Sequence, residues 1–312
     1  MQALVIEDAM TRTLVSLTIA ALLCATASAQ QAFKTPDEAA SALAGAAKSG
    51  DPKAIVTVLG PDGTDIVSSG DAVADAATRE KFIAAYNAKH QITMEGDNKA
   101  VVVVGQDDFP LPIPLLRKDG AWRFDTAAGR QEILFRRIGK NELDAIQSSL
   151  AYVDAQNDYA DKDRTGAGKG LYAQRIISSA GKKDGLYWPD TQNGDPSPLG
   201  ELVAKASAQG YKTDAGRTPY HGYYYKILTK QGPAAPGGAL DYIVNGKMIG
   251  GFALVAYPAE YRNSGVMTFI VNHDGTVFQK DLGRDTSELA ERMTAFNPDS
   301  SWTKVTDTEP AH

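Results

Sequence analysis

The residues best suited to chemistry lie near the C-terminus, where His273 stands beside Asp274 in the sequence NHDG. An imidazole next to a carboxylate is a pair that enzymes use for general acid–base catalysis. Asn, Asp and Gly are, however, the residues that a hairpin loop requires, because they tolerate positive φ or hydrogen-bond their own backbone. The apolar runs on both sides favour this second interpretation. We therefore predict a hairpin corner and assign no catalytic residue.

A second candidate is the stretch DKDRTG, which has the spacing of the first half of an EF-hand calcium loop. Asp161, Asp163 and Thr165 would supply the oxygen ligands. The twelfth position holds Tyr172 in place of the bidentate Glu, and Arg164 adds opposing charge. Two interpretations stay open, a weak calcium site and a polar loop, and no other cofactor is indicated.

Two aromatic stretches are candidate binding surfaces. Tyr187 and Trp188 lie in DGLYWP, and Tyr223 and Tyr225 lie in PYHGYYYKI, where they share one face of a predicted strand. Such side chains bind glycans or partner strands, but they also form cores and cross-strand pairs. Both interpretations stay open, with Tyr187 and Trp188 either lining a groove or closing the end of a sheet.

The motifs and the composition of the chain exclude several classes of function. The sequence contains no Gly-x-Ser-x-Gly, His-Glu-x-x-His or Walker motif. The net charge of -6 excludes the strongly basic face of a nucleic-acid binder. We therefore expect a non-enzymatic binding or assembly module. The alternative is an exported hydrolase that acts on glycan or peptide through a carboxylate pair, since 38 acidic residues are available.

The first 29 residues have the pattern of a secretory signal peptide. Arg12 precedes the apolar run Leu14 to Leu23, and Ala27-Ser28-Ala29 forms a small-x-small cleavage site. Cleavage after Ala29 would remove Cys24, the single cysteine, and would leave no apolar run of membrane-spanning length. We predict a periplasmic or secreted protein. The acidic residues before Met10 suggest that this methionine, and not Met1, is the true start.

Residues 30–138 are predicted to form an N-terminal α+β domain. Thr35, Pro36 and Glu38 have the spacing of a helix-capping box, and further helices are predicted after Asp51 and over Asp71 to Asn87. Three antiparallel strands follow at Ala100–Gly105, Pro110–Gly120 and Ala121–Thr126. Helices followed by such a sheet suggest a nuclear-transport-factor-like fold.

Residues 139–303 are predicted to form a second α+β domain, with a flexible tail over 304–312. After a helix that ends near Arg137 and a break at Gly139, Asn141 would cap a new helix. Its buried face would carry the apolar residues that recur at helical spacing, which are Leu143, Ile146, Leu150 and Val153. Four strands would then form an antiparallel β-meander at Tyr220–Leu228, Gly250–Pro258, Gly265–Asn272 and Thr276–Leu282. The middle two are apolar on both faces and should be central and adjacent.

Several phrases together resemble a bacterial family of exported proteins known as domain of unknown function 2950. They are NELDAIQSSLAYVDAQNDYA, GKKDGLYWP, GYYYKIL, GGFALVAYPAEY and SGVMTFIVNHDGTVFQKDLG. The resemblance runs from about Phe33 to Trp302 and implies a fold and a location, but no reaction.

The second half is also similar to the head domain of type IV pilins and pseudopilins, in which one helix packs on an antiparallel meander. Pilins begin with a long hydrophobic helix behind a special leader, whereas this chain has an ordinary secretory leader. The likeness implies an assembly or binding role, with an envelope protein or glycan as the partner.

Overall fold

The structure is a computed structural model that describes residues 30–189, 194–212 and 217–306. The predicted leader therefore lies outside the described residues. The helices are α1 (Pro36–Ser49), α2 (Pro52–Leu59), α3 (Thr64–Val67), α4 (Ala72–Ala88), α5 (Thr126–Ala160), α6 (Gly200–Ala208) and α7 (Thr286–Arg292). The strands are β1 (His90–Met94), β2 (Lys99–Val104), β3 (Phe109–Pro110), β4 (Leu115–Lys118), β5 (Ala121–Phe124), β6 (Tyr223–Leu228), β7 (Lys230–Gln231), β8 (Leu240–Asp241), β9 (Ile243–Val244), β10 (Lys247–Met248), β11 (Ala253–Pro258), β12 (Met267–Asn272), β13 (Val277–Asp281), β14 (Ala295–Phe296) and β15 (Thr303–Lys304). The α+β class is confirmed.

The N-terminal part, residues 30–125, packs helices α1, α2 and α4 on an antiparallel sheet with the strand order β1-β2-β4-β5. The predicted cap of α1 is present, because the Thr35 hydroxyl accepts the Glu38 N–H at 3.1 Å. The Glu38 carboxylate in turn accepts a hydrogen bond of 3.0 Å from the N–H of Lys34, one residue before the cap. Strand β1 was not predicted from the sequence.

Helix α5 corrects the prediction of two helices separated at Gly139. It runs unbroken through that glycine for 35 residues. A helical glycine costs about 1 kcal/mol, which packing along the rest of a long helix can offset. Asn141 is therefore not a cap. Its side-chain amide donates to the Ser264 carbonyl at 2.9 Å, and the Glu142 carboxylate accepts the Val266 N–H at 2.9 Å.

The C-terminal part places α5 across an antiparallel meander with the order β15-β13-β12-β11-β6. Strands β11 and β12 are adjacent and antiparallel with Leu254 opposite Val271, as predicted. All six residues of β11 are buried. The predicted corner after β12 is also present, since the Gly275 N–H donates to the Asn272 carbonyl and Gly275 has φ 73°. Lys304 pairs with Phe278, so sheet pairing extends into the predicted tail.

The two faces of the meander have different covers. Tyr225, Ala256 and Phe269 lie in one cross-strand row on the face toward α5. On the other face α7 and β14 contact β11, and the Phe296 ring meets Phe278 at 5.9 Å. This cover is formed by the C-terminal segment of the chain.

The buried face of α5 differs from the prediction at one position. Ile146 and Val153 are buried and Leu150 packs against the same core. Leu143 is 39% exposed. The helix meets the sheet through Asn141 and Glu142 at this level, and this turns Leu143 outward. Within the described residues, none of the helices is both long enough and apolar enough to span a bilayer.

Candidate functional site

A cluster of polar side chains lies where the N-terminal part meets the C-terminal part. We call it the junction, and it joins residues 65–75 to residues 209–211, 220–222 and 260–264. Its centre is Asp71, which is 1% exposed and caps α4 by accepting the N–H groups of Val73 and Ala74 through Oδ1. Its other oxygen, Oδ2, accepts the Tyr211 hydroxyl at 2.8 Å and the Gly222 N–H at 2.9 Å.

A histidine–carboxylate pair stands at the edge of the junction. His221 Nδ1 lies 2.6 Å from the Asp144 carboxylate, and its Nε2 lies 3.2 Å from Oε1 of Gln209. Burial acts to raise the pKa of Asp144, but hydrogen bonds from His221 and Lys140 outweigh it and lower the pKa below its ordinary value. A carboxylate on Nδ1 holds an imidazole in one orientation and tautomer, which is how acid–base enzymes prepare Nε2 as a base.

A tight turn positions His221. His221 and Gly222 have φ values of 51° and 73°, and Tyr220 and Tyr223 on either side exchange backbone hydrogen bonds. These are features of a type I′ turn, in which both central residues have positive φ. A Cβ at position 222 would lie 2.5 Å from Nδ2 of Asn141, so only glycine fits there. Positive φ at a residue with a side chain is a strained conformation that occurs often at functional sites.

The junction also contains a pair of acids, Asp71 and Asp75, of the type proposed for a hydrolase. Burial is the largest effect on Asp75 and raises its pKa, although Ser69 donates both its N–H and its hydroxyl to the carboxylate. The Asp71 carboxylate accepts four hydrogen bonds from protein donors. These contacts fix both carboxylates within the fold.

A cleft of about 300 Å³ lies at the other end of α5. We call it the glycine-loop cleft, because the glycine-rich segment over 165–171 forms one side of it. Its lining residues are Tyr159, Thr165, Ala167, Leu171, Tyr172, Gln174, Arg175, Asp184, Gly246, Lys247 and Met248. The walls are tied together, since the Tyr172 N–H donates to the Met248 carbonyl and the Gln174 amide donates to the Gly246 carbonyl, both at 2.8 Å.

The aromatic residues predicted to bind a ligand are mostly enclosed. Trp188 is 6% exposed, its Nε1–H donates to the Asp195 carbonyl, and Arg164 and Lys183 lie 5.7 and 5.1 Å from its ring centre. Tyr187 is half-buried in the segment that pairs with Ile177 behind the wall of the glycine-loop cleft. The structure thus brings this stretch to a cleft without placing either ring among its lining residues.

Tyr223 and Tyr225 lie on the face of the meander that α5 covers. Tyr223 is 0% exposed and its hydroxyl donates to the Met267 carbonyl at 2.9 Å. The Tyr225 hydroxyl is buried without a hydrogen bond of normal geometry, although Ser148 lies near enough to counteract part of the rise that burial causes in its pKa. Contact of either side chain with a ligand would require α5 to move.

The predicted calcium residues Asp161, Asp163 and Thr165 are exposed. Arg164 turns inward between them, with 1% of its side chain exposed, and pairs with Asp158 and Asp195. No cluster of three His, Cys, Asp or Glu side chains suited to a metal occurs in the described part of the chain. Calcium at this loop therefore stays a prediction from the sequence.

The profile of a family described as "Protein of unknown function (DUF2950)" matches residues 30–305. The chain belongs to this family. The match covers the whole of the described structure up to Val305 and confirms the family resemblance that the sequence phrases suggested. No curated protein and no solved structure is significantly similar to the chain. The likenesses to nuclear-transport-factor and pilin-head folds therefore stay predictions.

The Asp144–His221 pair is the part of the site that sequence reasoning missed. The two residues are separated by 77 positions, and neither belongs to a motif. One local signal was available, because a His-Gly dipeptide between tyrosines fits a tight hairpin turn as well as Asn-Gly does. That signal indicates a turn but does not reveal which carboxylate the imidazole meets.

Proposed function

We propose that this chain is an exported protein of the bacterial cell envelope that acts by binding another envelope component and not by catalysis. Its leader, with Arg12, an apolar run and Ala27-Ser28-Ala29, supports export. The side-chain amide of Gln30, the first residue after the proposed cleavage, donates to the carbonyls of Leu59 and Phe124 at 3.0 and 2.7 Å, so this residue is docked on the N-terminal part.

The observation that carries the binding function is the glycine-loop cleft. It is concave, its walls are already tied by backbone and side-chain hydrogen bonds, and it presents polar groups beside aromatic and aliphatic side chains. Ligand sites generally combine a preformed concave shape with a small number of polar groups. The arrangement of α5 across the meander, which resembles a pilin head, is compatible with a role in assembly or binding.

Two measurements test the proposal. Mass spectrometry of the exported product should give a chain that begins at Gln30, and a product retaining Cys24 would contradict export by this leader. Purified mature protein should co-sediment with the insoluble glycan fraction of the envelope and leave its polymer length unchanged. If the protein binds neither the soluble nor the insoluble envelope fraction, the binding function is contradicted.

The Asp144–His221 pair favours a second candidate function, an exported hydrolase that acts on glycan or peptide. In this function the Gln209 side chain would release Nε2 of His221, which would then activate a water molecule while Asp144 stabilises the imidazolium. The co-sedimentation sample distinguishes the two functions. If the wild-type protein releases soluble fragments from the envelope fraction and His221→Gln lowers this release roughly 100-fold or more, the protein is a hydrolase. If the protein stays bound to the fraction and releases no fragments, the binding function is supported.

A further inference from the structure

The glycine-loop cleft contains two exposed cationic side chains. Arg175 and Lys247 line it, both are exposed, and neither forms an ion pair within the described residues. The one hydrogen bond of the Arg175 guanidinium goes to the Ser179 hydroxyl at 3.2 Å. Lys162 and Arg217, by comparison, each have a carboxylate within 4.0 Å.

Asp184, the single acid in the lining, offsets one of the two cations. Asp184 accepts the N–H and hydroxyl of Ser179 at 2.7 and 2.8 Å, and the backbone hydrogen bond is the main reason why its pKa is lowered. It therefore remains ionised, and the lining carries two positive charges and one negative charge. A net positive cleft in a chain of net charge -6 is a local exception that favours an anionic ligand.

The remaining lining groups are those that recognise hydroxyls. Gln174 and Thr165 carry polar groups, the Asp184 oxygens retain acceptor capacity, and Tyr172 supplies an aromatic ring beside Leu171. A peptide that binds as an added strand would need a free strand edge. The segment at Tyr172 already pairs with Met248, and the segment at Ile177 already pairs with Tyr187. These two edges are therefore occupied.

From these observations we propose that the glycine-loop cleft binds an acidic sugar, with Arg175 and Lys247 holding its carboxylate and Asp184 accepting from its hydroxyls. This proposal rests on the binding function proposed above and specifies the ligand class for it. Charge-assisted hydrogen bonds from Arg and Lys to a carboxylate are stronger than neutral ones, so the carboxylate should account for much of the affinity.

Isothermal titration calorimetry on the mature chain from Gln30 tests the proposal with three probes. They are a trigalacturonate, the same trisaccharide with its carboxylates reduced to alcohols, and tri-glutamate. We expect the uronate to bind roughly tenfold or more tightly than the reduced sugar and the peptide. Arg175→Gln and Lys247→Gln should each weaken uronate binding by a similar factor. Both side chains are exposed, so the melting temperatures of these variants should be unchanged.

Lys48→Gln is the matched control and should leave binding unchanged. Lys48 is exposed in the last turn of α1 and is not among the residues that line the cleft. Equal affinity for the reduced sugar would overturn the assignment of the carboxylate, and tighter binding of tri-glutamate would overturn the assignment of a sugar. Unchanged uronate binding in both cleft variants would overturn the site. If the protein binds envelope glycan but none of the three probes, this inference fails and the proposed function stands. Absence of any envelope binding refutes both.

Discussion

Replacing Asp71 with alanine tests whether the junction holds the N-terminal and C-terminal parts together. Loss of the α4 cap should cost about 1 kcal/mol. The buried Gly222 N–H would also lose its acceptor, which costs about 1–3 kcal/mol, and the half-buried Tyr211 hydroxyl would add about 1 kcal/mol. We therefore expect Asp71→Ala to reduce the free energy of unfolding by about 3–5 kcal/mol, a large share of a typical total.

Urea unfolding followed by circular dichroism measures this loss, with Asp51→Ala as the control. Asp51 caps α2 in the same way, but its carboxylate is exposed and accepts only the Lys53 N–H, so about 1 kcal/mol should be lost. A double-mutant cycle of Asp71→Ala with Tyr211→Phe should give a coupling energy of about 1–3 kcal/mol. Equal losses at Asp71 and Asp51, or a coupling near zero, would refute the view that Asp71 joins the two parts.

Three further predictions concern the sheet, the histidine pair and the N-terminus. Phe269→Ala should cost about 3–5 kcal/mol because the ring is 1% exposed, whereas His273→Ala at the hairpin corner should cost under about 1 kcal/mol, and thermal melts would compare them. The lowered pKa of Asp144 means that its contribution to stability is complete above its ordinary pKa of 3.8 and is lost as pH falls through the lowered value. Asp144→Asn should therefore be less stable than the wild type at neutral pH, and the melting temperatures of the two proteins should converge as the pH falls below 3.8. A constant difference would contradict this. The side-chain amide of Gln30 donates to two backbone carbonyls, so the folded mature chain should resist cyclisation of Gln30 to pyroglutamate. Mass spectrometry should detect the loss of ammonia that accompanies cyclisation in the urea-unfolded chain. Equal rates in the folded and unfolded chains would contradict the docking of Gln30.

Features specified by neighbouring residues could be predicted from the sequence. The cap of α1 depends on Thr35 and Glu38, three residues apart, and the central position of β11 follows from a run that is apolar on both faces. Features that depend on distant residues could not. Gly139 and Asn141 have the composition of a helix break, yet α5 continues because Asn141 finds its partner at Ser264, 123 residues later. The same limit applies to the Asp144–His221 pair and to the covering of the second sheet face by α7.

The charges that are buried at the junction differ in their contacts from those that are exposed in the glycine-loop cleft. At the junction the buried charged groups have protein partners. The Asp71 carboxylate accepts four hydrogen bonds. Arg137, whose pKa is lowered by burial, donates to the Asp65 carbonyl and to Asn263 at 2.6 and 2.7 Å. Desolvating a charge is costly, so such groups remain only where the protein supplies their hydrogen bonds. At the glycine-loop cleft Arg175 and Lys247 stay in contact with water and have no carboxylate partner in the described residues. A ligand carboxylate can replace that water without breaking any contact that the fold needs. Binding at the cleft can therefore change while the junction and the meander keep their stability.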